Sequence, residues 1–255
     1  MLERIKKYQF LFEELVKRDF KQKYKRTILG MIWSILSPLL MLSILALIFG
    51  QFFGKSTPHY IVYVFSGQVV INYFIESTTE GMSALMNNAR IFTKINVPKY
   101  LFLFSKNISA LINFSIILLI YFMFIFFDGL KLTWYYIFLL YPIACLIIIN
   151  LGIGLILSAL FIFFRDIQYL YRLFTQVVMY GSAVFYNISI APKSIQDLFY
   201  LNPIFLCITY FRQIVIEGVI PSITVHIILA IYAIFLLMLG LFVYKKYNYK
   251  FLYYV

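Results

Sequence analysis

Residues 17–41 read KRDFKQKYKRTILGMIWSILSPLLM, a strongly basic third followed by a stretch with no charge at all. Between Lys25-Arg26 and Trp33 the chain passes from charged to lipid-soluble within about two helical turns. Basic segments are drawn to anionic headgroups and uncharged apolar runs to hydrocarbon, so this profile marks a chain climbing out of a membrane surface. The run from Ile28 to Phe53 is long enough to cross a bilayer with some tilt, and Pro38 inside it predicts a kink near Ser34.

Composition agrees with that reading. The chain is 63% hydrophobic and 13% charged, about half the charge of an ordinary soluble domain, so it lacks the polar surface to coat a water-soluble globule. The net charge of +12 does not gather on one soluble face. It clusters beside apolar runs, which points to lipid headgroups and orientation rather than nucleic acid. Cys145 and Cys207 lie in apolar runs without metal-type spacing. Residues 1–27 are charged throughout and the apolar run after them is too long for a signal h-region, so no cleavable signal peptide is expected.

Residues 2–26 carry Leu2, Ile5, Phe12, Val16 and Phe20 at roughly helical spacing beside many lysines. This predicts an interfacial amphipathic helix, with a short solvated leader as the alternative. Spans are expected at 28–53, 60–79, 101–127, 134–164, 170–186 and 220–244. The second is the least apolar, and Gln68, Asn72 and Glu76 stand one turn apart on a single face. Such a stripe belongs against protein or a watery cavity. Residues 80–100 are too polar to span; a short helix is expected within 84–99, ending before Pro98. In the fourth span Pro142 bends the helix, or Gly152 and Gly154 permit close packing. The fifth is marginal in length. Residues 188–217 are too apolar for a free loop and too broken by Pro192, Pro203 and charges for one span, so re-entrant helices are expected there. With the N-terminus in the cytoplasm, 18 of the 22 Lys and Arg fall on inner segments, and only Lys55, Lys131, Lys193 and Arg212 fall outside. The fold expected is therefore a single all-α, multi-pass domain over 1–255, in a cytoplasmic membrane, with both termini inside.

Catalytic motifs are missing. There is no G-x-x-x-x-G-K-[ST], no H-E-x-x-H and no G-x-S-x-G. Glu76 and Glu80, one turn apart, read either as a carboxylate relay or as an interfacial pair facing Lys or Arg.

The stretch Arg18-Asp19 … Tyr24-Lys25-Arg26-Thr27-Ile28-Leu29-Gly30-Met31-Ile32-Trp33 … Pro38-Leu39 resembles the opening of ABC-2 type permeases that export polysaccharides. Phe163-Phe164-Arg165-Asp166-Ile167 and Leu201-Asn202-Pro203 … Phe211-Arg212 resemble later patches of that family. The resemblance implies a homodimer working with two copies of a separate cytoplasmic P-loop ATPase, which would bind the ATP and Mg, leaving this chain without a cofactor. It implies as cargo an undecaprenyl-diphosphate-linked glycan of the O-antigen, teichoic acid or capsule type, moved across a bacterial inner membrane. It also assigns lateral substrate access to 2–26, ATPase contact to 84–99 and an outer gate to 188–217.

On that frame Lys21, Lys25 and Arg26, with Lys23, stand where a lipid diphosphate would arrive; binding of anionic phospholipid is the plainer alternative. Trp33, Tyr63, Tyr73, Phe74, Tyr180 and Tyr186 are candidates for a sugar path, against a role in packing or at the lipid face. Arg90, Ile91, Phe92 and Lys94, with Arg165 and Asp166, are candidates for ATPase coupling, and Asn202, Pro203 and Arg212 for the gate. No metal site is expected. The rival readings are a drug or peptide exporter of the same fold and a membrane enzyme acting on lipid-linked sugars.

Overall fold

A computed structural model describes residues 2–25, 27–54, 57–188 and 192–254. Among these the chain is all-helical: α1 (Leu2–Tyr24), α2 (Trp33–Phe53, entered through a 3-10 turn at Gly30–Ile32), α3 (Tyr60–Asn87), α4 (Ala89–Phe92), α5 (Tyr100–Phe127), α6 (Leu140–Phe163, after a 3-10 turn at Trp134–Leu139), α7 (Ile167–Tyr180), α8 (Lys193–Phe199), α9 (Pro203–Arg212, prolonged by a π turn to Glu217) and α10 (Ile223–Tyr247).

Among the described residues four helical segments are long and apolar enough to cross a membrane: Gly30–Phe52, Tyr100–Phe127, Trp134–Phe163 and Ile223–Tyr247. The pair Lys193–Phe199 and Pro203–Glu217 is bent by 102° at the break between them. This is a multi-pass membrane protein. The other two expected spans differ in detail from the sequence reading. Residues 60–79 belong to a longer helix, α3, which continues to Asn87 and holds more buried residues than any other described helix. In place of a span over 170–186 there is α7, whose 14 residues reach only about 21 Å. It stops because the following segment is held elsewhere: Asn202 donates to Gly181 O and Ser182 Oγ, and Arg212 to Ala183 O and Val184 O.

The residues 84–99 likewise do not form one helix. Asn88 leaves the helical region (φ −111°, ψ 11°) and splits the end of α3 from the single turn α4, after which the chain runs irregularly to Lys99. The Asn88 amide makes the break by bonding back to Ala84 O at 2.7 Å.

Helix α6 lies between α10 and α3, and its two glycines face opposite neighbours. A Cβ on Gly152 would sit 2.5 Å from the Leu236 carbonyl carbon, and one on Gly240 2.4 Å from Gly152 O. Backbone meets backbone there, the close approach that small residues permit when lipid supplies no hydrophobic drive. On the other face the Gly154 and Gly81 Cα atoms adjoin. The main core fills the space between α3, α5, α6 and α9, with Phe65, Tyr121, Leu146 and Phe211 fully buried. A second core, around Leu85, Phe102 and Phe251, closes the basic end.

Candidate functional site

Helix α1 joins the bundle through a charge that is out of water. Leu15 and Asp19 stand one turn apart on its inner face and both are buried, Asp19 at 4% exposure. One Asp19 carboxylate oxygen accepts from Arg18 Nε (3.1 Å) and Nη2 (2.7 Å), the other from Ser105 Oγ of α5 (3.0 Å). Lys106 Nζ stands 3.6 Å away and pairs with Glu80 at 2.9 Å. Arg18 Nη2 also donates to Asn88 Oδ1 at 2.8 Å, so the residue that breaks α3 is tied to α1.

One turn up α3, Glu76 accepts from Lys23 Nζ (2.7 Å) on one oxygen and from Asn113 Nδ2 of α5 (2.8 Å) on the other. Both carboxylates of the Glu76/Glu80 pair therefore face lysines. Two cavities meet at this point and share Lys23 and Glu76. One, about 570 Å³, opens beside Arg18, Asp19 and Lys106. The other, about 690 Å³, runs between α2, α3 and α5, with Trp33, Ser37 and Pro38 on one wall and Asn72, Glu76 and Asn113 on the other. Pro38 lacks the N–H that would bond the Ser34 carbonyl, so the α2 wall keeps an open acceptor. The polar stripe expected on the second span thus faces protein and cleft: Gln68 is buried and Asn72 and Glu76 line the cavity.

In the first cavity Arg18, Lys23 and Lys106 are matched by Asp19, Glu76 and Glu80. Net positive charge lies outside it: Lys21 and Lys25 are exposed and make no ion pair among the described residues. Arg26 lies outside the described residues. Of the aromatic candidates, Trp33 lines the cleft at 39% exposure, while Tyr63, Tyr73 and Phe74 are packed inside the main core. The Tyr73 ring lies 4.7 Å from Phe114. Tyr180 is exposed, and Tyr186 is half-buried against the gate segment, its hydroxyl on Tyr180 O.

Among the coupling candidates Arg90, Lys94, Arg165 and Asp166 are exposed and Ile91 is half-buried. Phe92 faces inward at 5% exposure, against Phe102, because the single turn of α4 points it back at the core. Ile95, at 56%, is the outward residue of that segment. Lys99 holds the segment to the C-terminal turn through Asn248 O, and burial lowers its ammonium pKa.

The gate candidates form one unit. Asn202 caps α9 by accepting from Ile204 N, with Pro203 in the first turn. Arg212 is buried with its guanidinium 3.4 Å over the Tyr63 ring and donates to Tyr63 O, Ala183 O and Val184 O. Tyr60 and Tyr63 donate to Phe185 O and Tyr186 O from the other side. Sequence reading missed Asp19, Lys106 and Asn113 as site residues, while Glu80 was read with Glu76 as a pair facing Lys or Arg. Asp19 was legible only as part of Arg18-Asp19, and Lys106 and Asn113 have no local signal. Among the described residues no group of three or more His, Cys, Asp or Glu side chains could hold a metal ion.

The family model for "ABC-2 type transporter" matches residues 11–216, most of the chain. The chain belongs to the ABC-2 type transporter family. Curated relatives match along almost their whole length. The chain is 27% identical to an O-antigen export system permease protein RfbA of Klebsiella pneumoniae, over 95% of each chain. It is 27% identical to RfbA of Myxococcus xanthus over 84% of each, and 26% identical to the polysialic acid transport protein KpsM of Escherichia coli over 91% of this chain and 92% of that one. The family and these relatives are transport proteins, and ABC-2 permeases work with a partner ATPase in ABC transporters. The matched region contains the Arg18-Asp19 lock, the cleft and the Asn202–Arg212 unit.

Proposed function

We propose that this chain is the transmembrane permease subunit of an exporter that moves polysaccharide of the O-antigen or capsule class, carried on undecaprenyl diphosphate, across the bacterial cytoplasmic membrane. The observation that carries the reading is full-length similarity to export permeases for such glycans. The cleft fits it: a lipid-linked sugar reaching the inner face meets Lys21 and Lys25 first, then Lys23 and the cavity beneath Trp33. In this reading two copies form the pore, a separate ATPase supplies the energy, and both termini are cytoplasmic. The exposed loop carrying Arg90, Lys94 and Ile95, together with Arg165 and Asp166, receives the ATPase. The Asn202–Arg212 unit closes the outer side.

The test is co-expression of the chain with its ATPase and glycan-assembly enzymes in a host lacking its own exporter. Surface glycan should appear, and should be replaced by intracellular lipid-linked glycan when Lys21, Lys25 and Arg26 are reversed to Glu in a variant that still inserts. Normal surface glycan in that variant removes the access role. No surface glycan with the unaltered chain, when all partners are present, removes the cargo.

A further inference from the structure

The cleft between α2, α3 and α5 holds more hydrogen-bonding capacity than its position in a membrane explains. Asn72 projects into it from the middle of α3, and among the described residues its amide has no hydrogen-bond partner. Polar side chains at this depth normally find partners in protein or mark a transport path. On the same wall as Asn72, Asn113 and Glu76 are joined to each other, and Trp33 and Ser37 form the opposite wall. At about 690 Å³ the space lies within the range of about 300–1,000 Å³ usual for small-ligand sites.

Of the possible occupants, one chemistry suits this lining. An alkyl chain would leave the Asn72 amide unpaired against hydrocarbon and lie along the Lys23–Glu76–Asn113 network without using it. A phosphate would face Glu76 at close range. A pyranose presents hydroxyls at its edge and C–H groups on its faces, matching amides and carboxylate on one wall and an indole on the other.

We propose that this cleft reads the sugar joined directly to the lipid diphosphate, with Asn72, Asn113 and Glu76 as the hydrogen-bonding groups and Trp33 as the apolar wall. The Lys23–Glu76 pair holds the site in its empty state. Lys23 is 39% and Glu76 22% exposed, so water screens the pair and it exchanges readily. A diphosphate at the mouth draws Lys23 to itself through charge-assisted hydrogen bonds. Glu76 Oε1 is then free to accept from a sugar hydroxyl, while Asn113 keeps Oε2 in place. Because the pair divides the two cavities, its opening also joins them. The diphosphate thus prepares the position that the sugar fills, and the permease distinguishes a loaded lipid from a bare one before any long glycan is engaged.

The proposal rests on the cargo reading above, and the experiment separates the two. The purified permease–ATPase complex in nanodiscs is titrated with undecaprenyl diphosphate and with undecaprenyl diphosphate carrying a single N-acetylglucosamine. One to two new hydrogen bonds make the sugar-bearing lipid bind about tenfold tighter. Asn72→Ala should bring that ratio close to one while leaving affinity for the bare diphosphate unchanged. Lys23→Ala should weaken both lipids alike. Asn72→Ser, which keeps a hydroxyl in less volume, serves as the second variant if the first is poorly folded, and should give an intermediate ratio. A wild-type ratio of one, or a ratio untouched by both Asn72 variants, overturns the proposal and leaves the cargo reading intact. Failure of the wild-type complex to bind either lipid overturns both.

Discussion

Replacing Asp19 by Asn keeps the shape of the side chain and removes the charge on which α1 is anchored. The carboxylate is buried and accepts three hydrogen bonds, two of them from a guanidinium, with Lys106 3.6 Å away. Removing one partner of a fully buried ion pair costs about 3–5 kcal/mol. Here the cost is smaller, because Arg18 is 39% exposed and keeps Asn88, and Lys106 keeps Glu80. About 2–3 kcal/mol is the reasonable figure, a factor of about 30–150 in the docking equilibrium of α1. The helix is peripheral, so the loss falls on its attachment rather than on the bundle. Hydrogen–deuterium exchange in nanodiscs should show residues 8–24 losing protection by about that factor, with α3, α5 and α6 unchanged. Unaltered exchange in α1, or a loss spread evenly through all helices, would refute the argument that Asp19 is the anchor.

Three further outcomes follow from the packing. Gly152→Leu drives a side chain into the α10 backbone, costing at least about 1–3 kcal/mol, and should abolish monodisperse protein on size-exclusion chromatography; Gly50→Ala, with nothing within 4 Å of its new Cβ, should leave the profile unchanged. Arg212→Met strips donors from three carbonyls, so a cysteine placed at Ser182, buried in the native protein, should become reactive to an impermeant maleimide from the outer side; continued protection would exclude Arg212 as the latch. Ile95→Asp should abolish co-purification of the ATPase with the permease still folded, whereas Phe92→Asp should lower the melting temperature of the permease itself; an Ile95→Asp variant that retains its ATPase moves the docking surface elsewhere.

The membrane class, the helix over the basic N-terminal stretch and the bent helix pair before α10 were legible because each rests on periodicity, charge or breaker residues within one segment. The stripe Gln68–Asn72–Glu76 told its own side of the helix correctly, since a polar face among apolar ones has few places to go. What could not be read are the contacts made at long range. Glu76 finds Lys23 from 53 residues away and Asn113 from 37, and no pattern inside α3 announces either. Phe92 read as exposed from its basic neighbours, and only the break at Asn88 turns it inward. The early end of α7 has the same origin, since Asn202 and Arg212 claim the carbonyls of 181, 183 and 184 from outside the segment.

Helix α3 meets every part of this apparatus in turn. Its last residue adjoins Asn88 and the coupling segment, its middle carries Glu76 and Asn72, and its first turn, at Tyr60 and Tyr63, holds the carbonyl cage around Arg212. It runs 28 residues without a proline, about 42 Å, and is gripped at Gly81 by the backbone of α6. A push at Asn88 would therefore meet no proline hinge before Tyr63. Under the coupling and gate roles proposed above, α3 would be the connecting rod between them, and the latch on one face of the membrane would keep time with the stroke on the other.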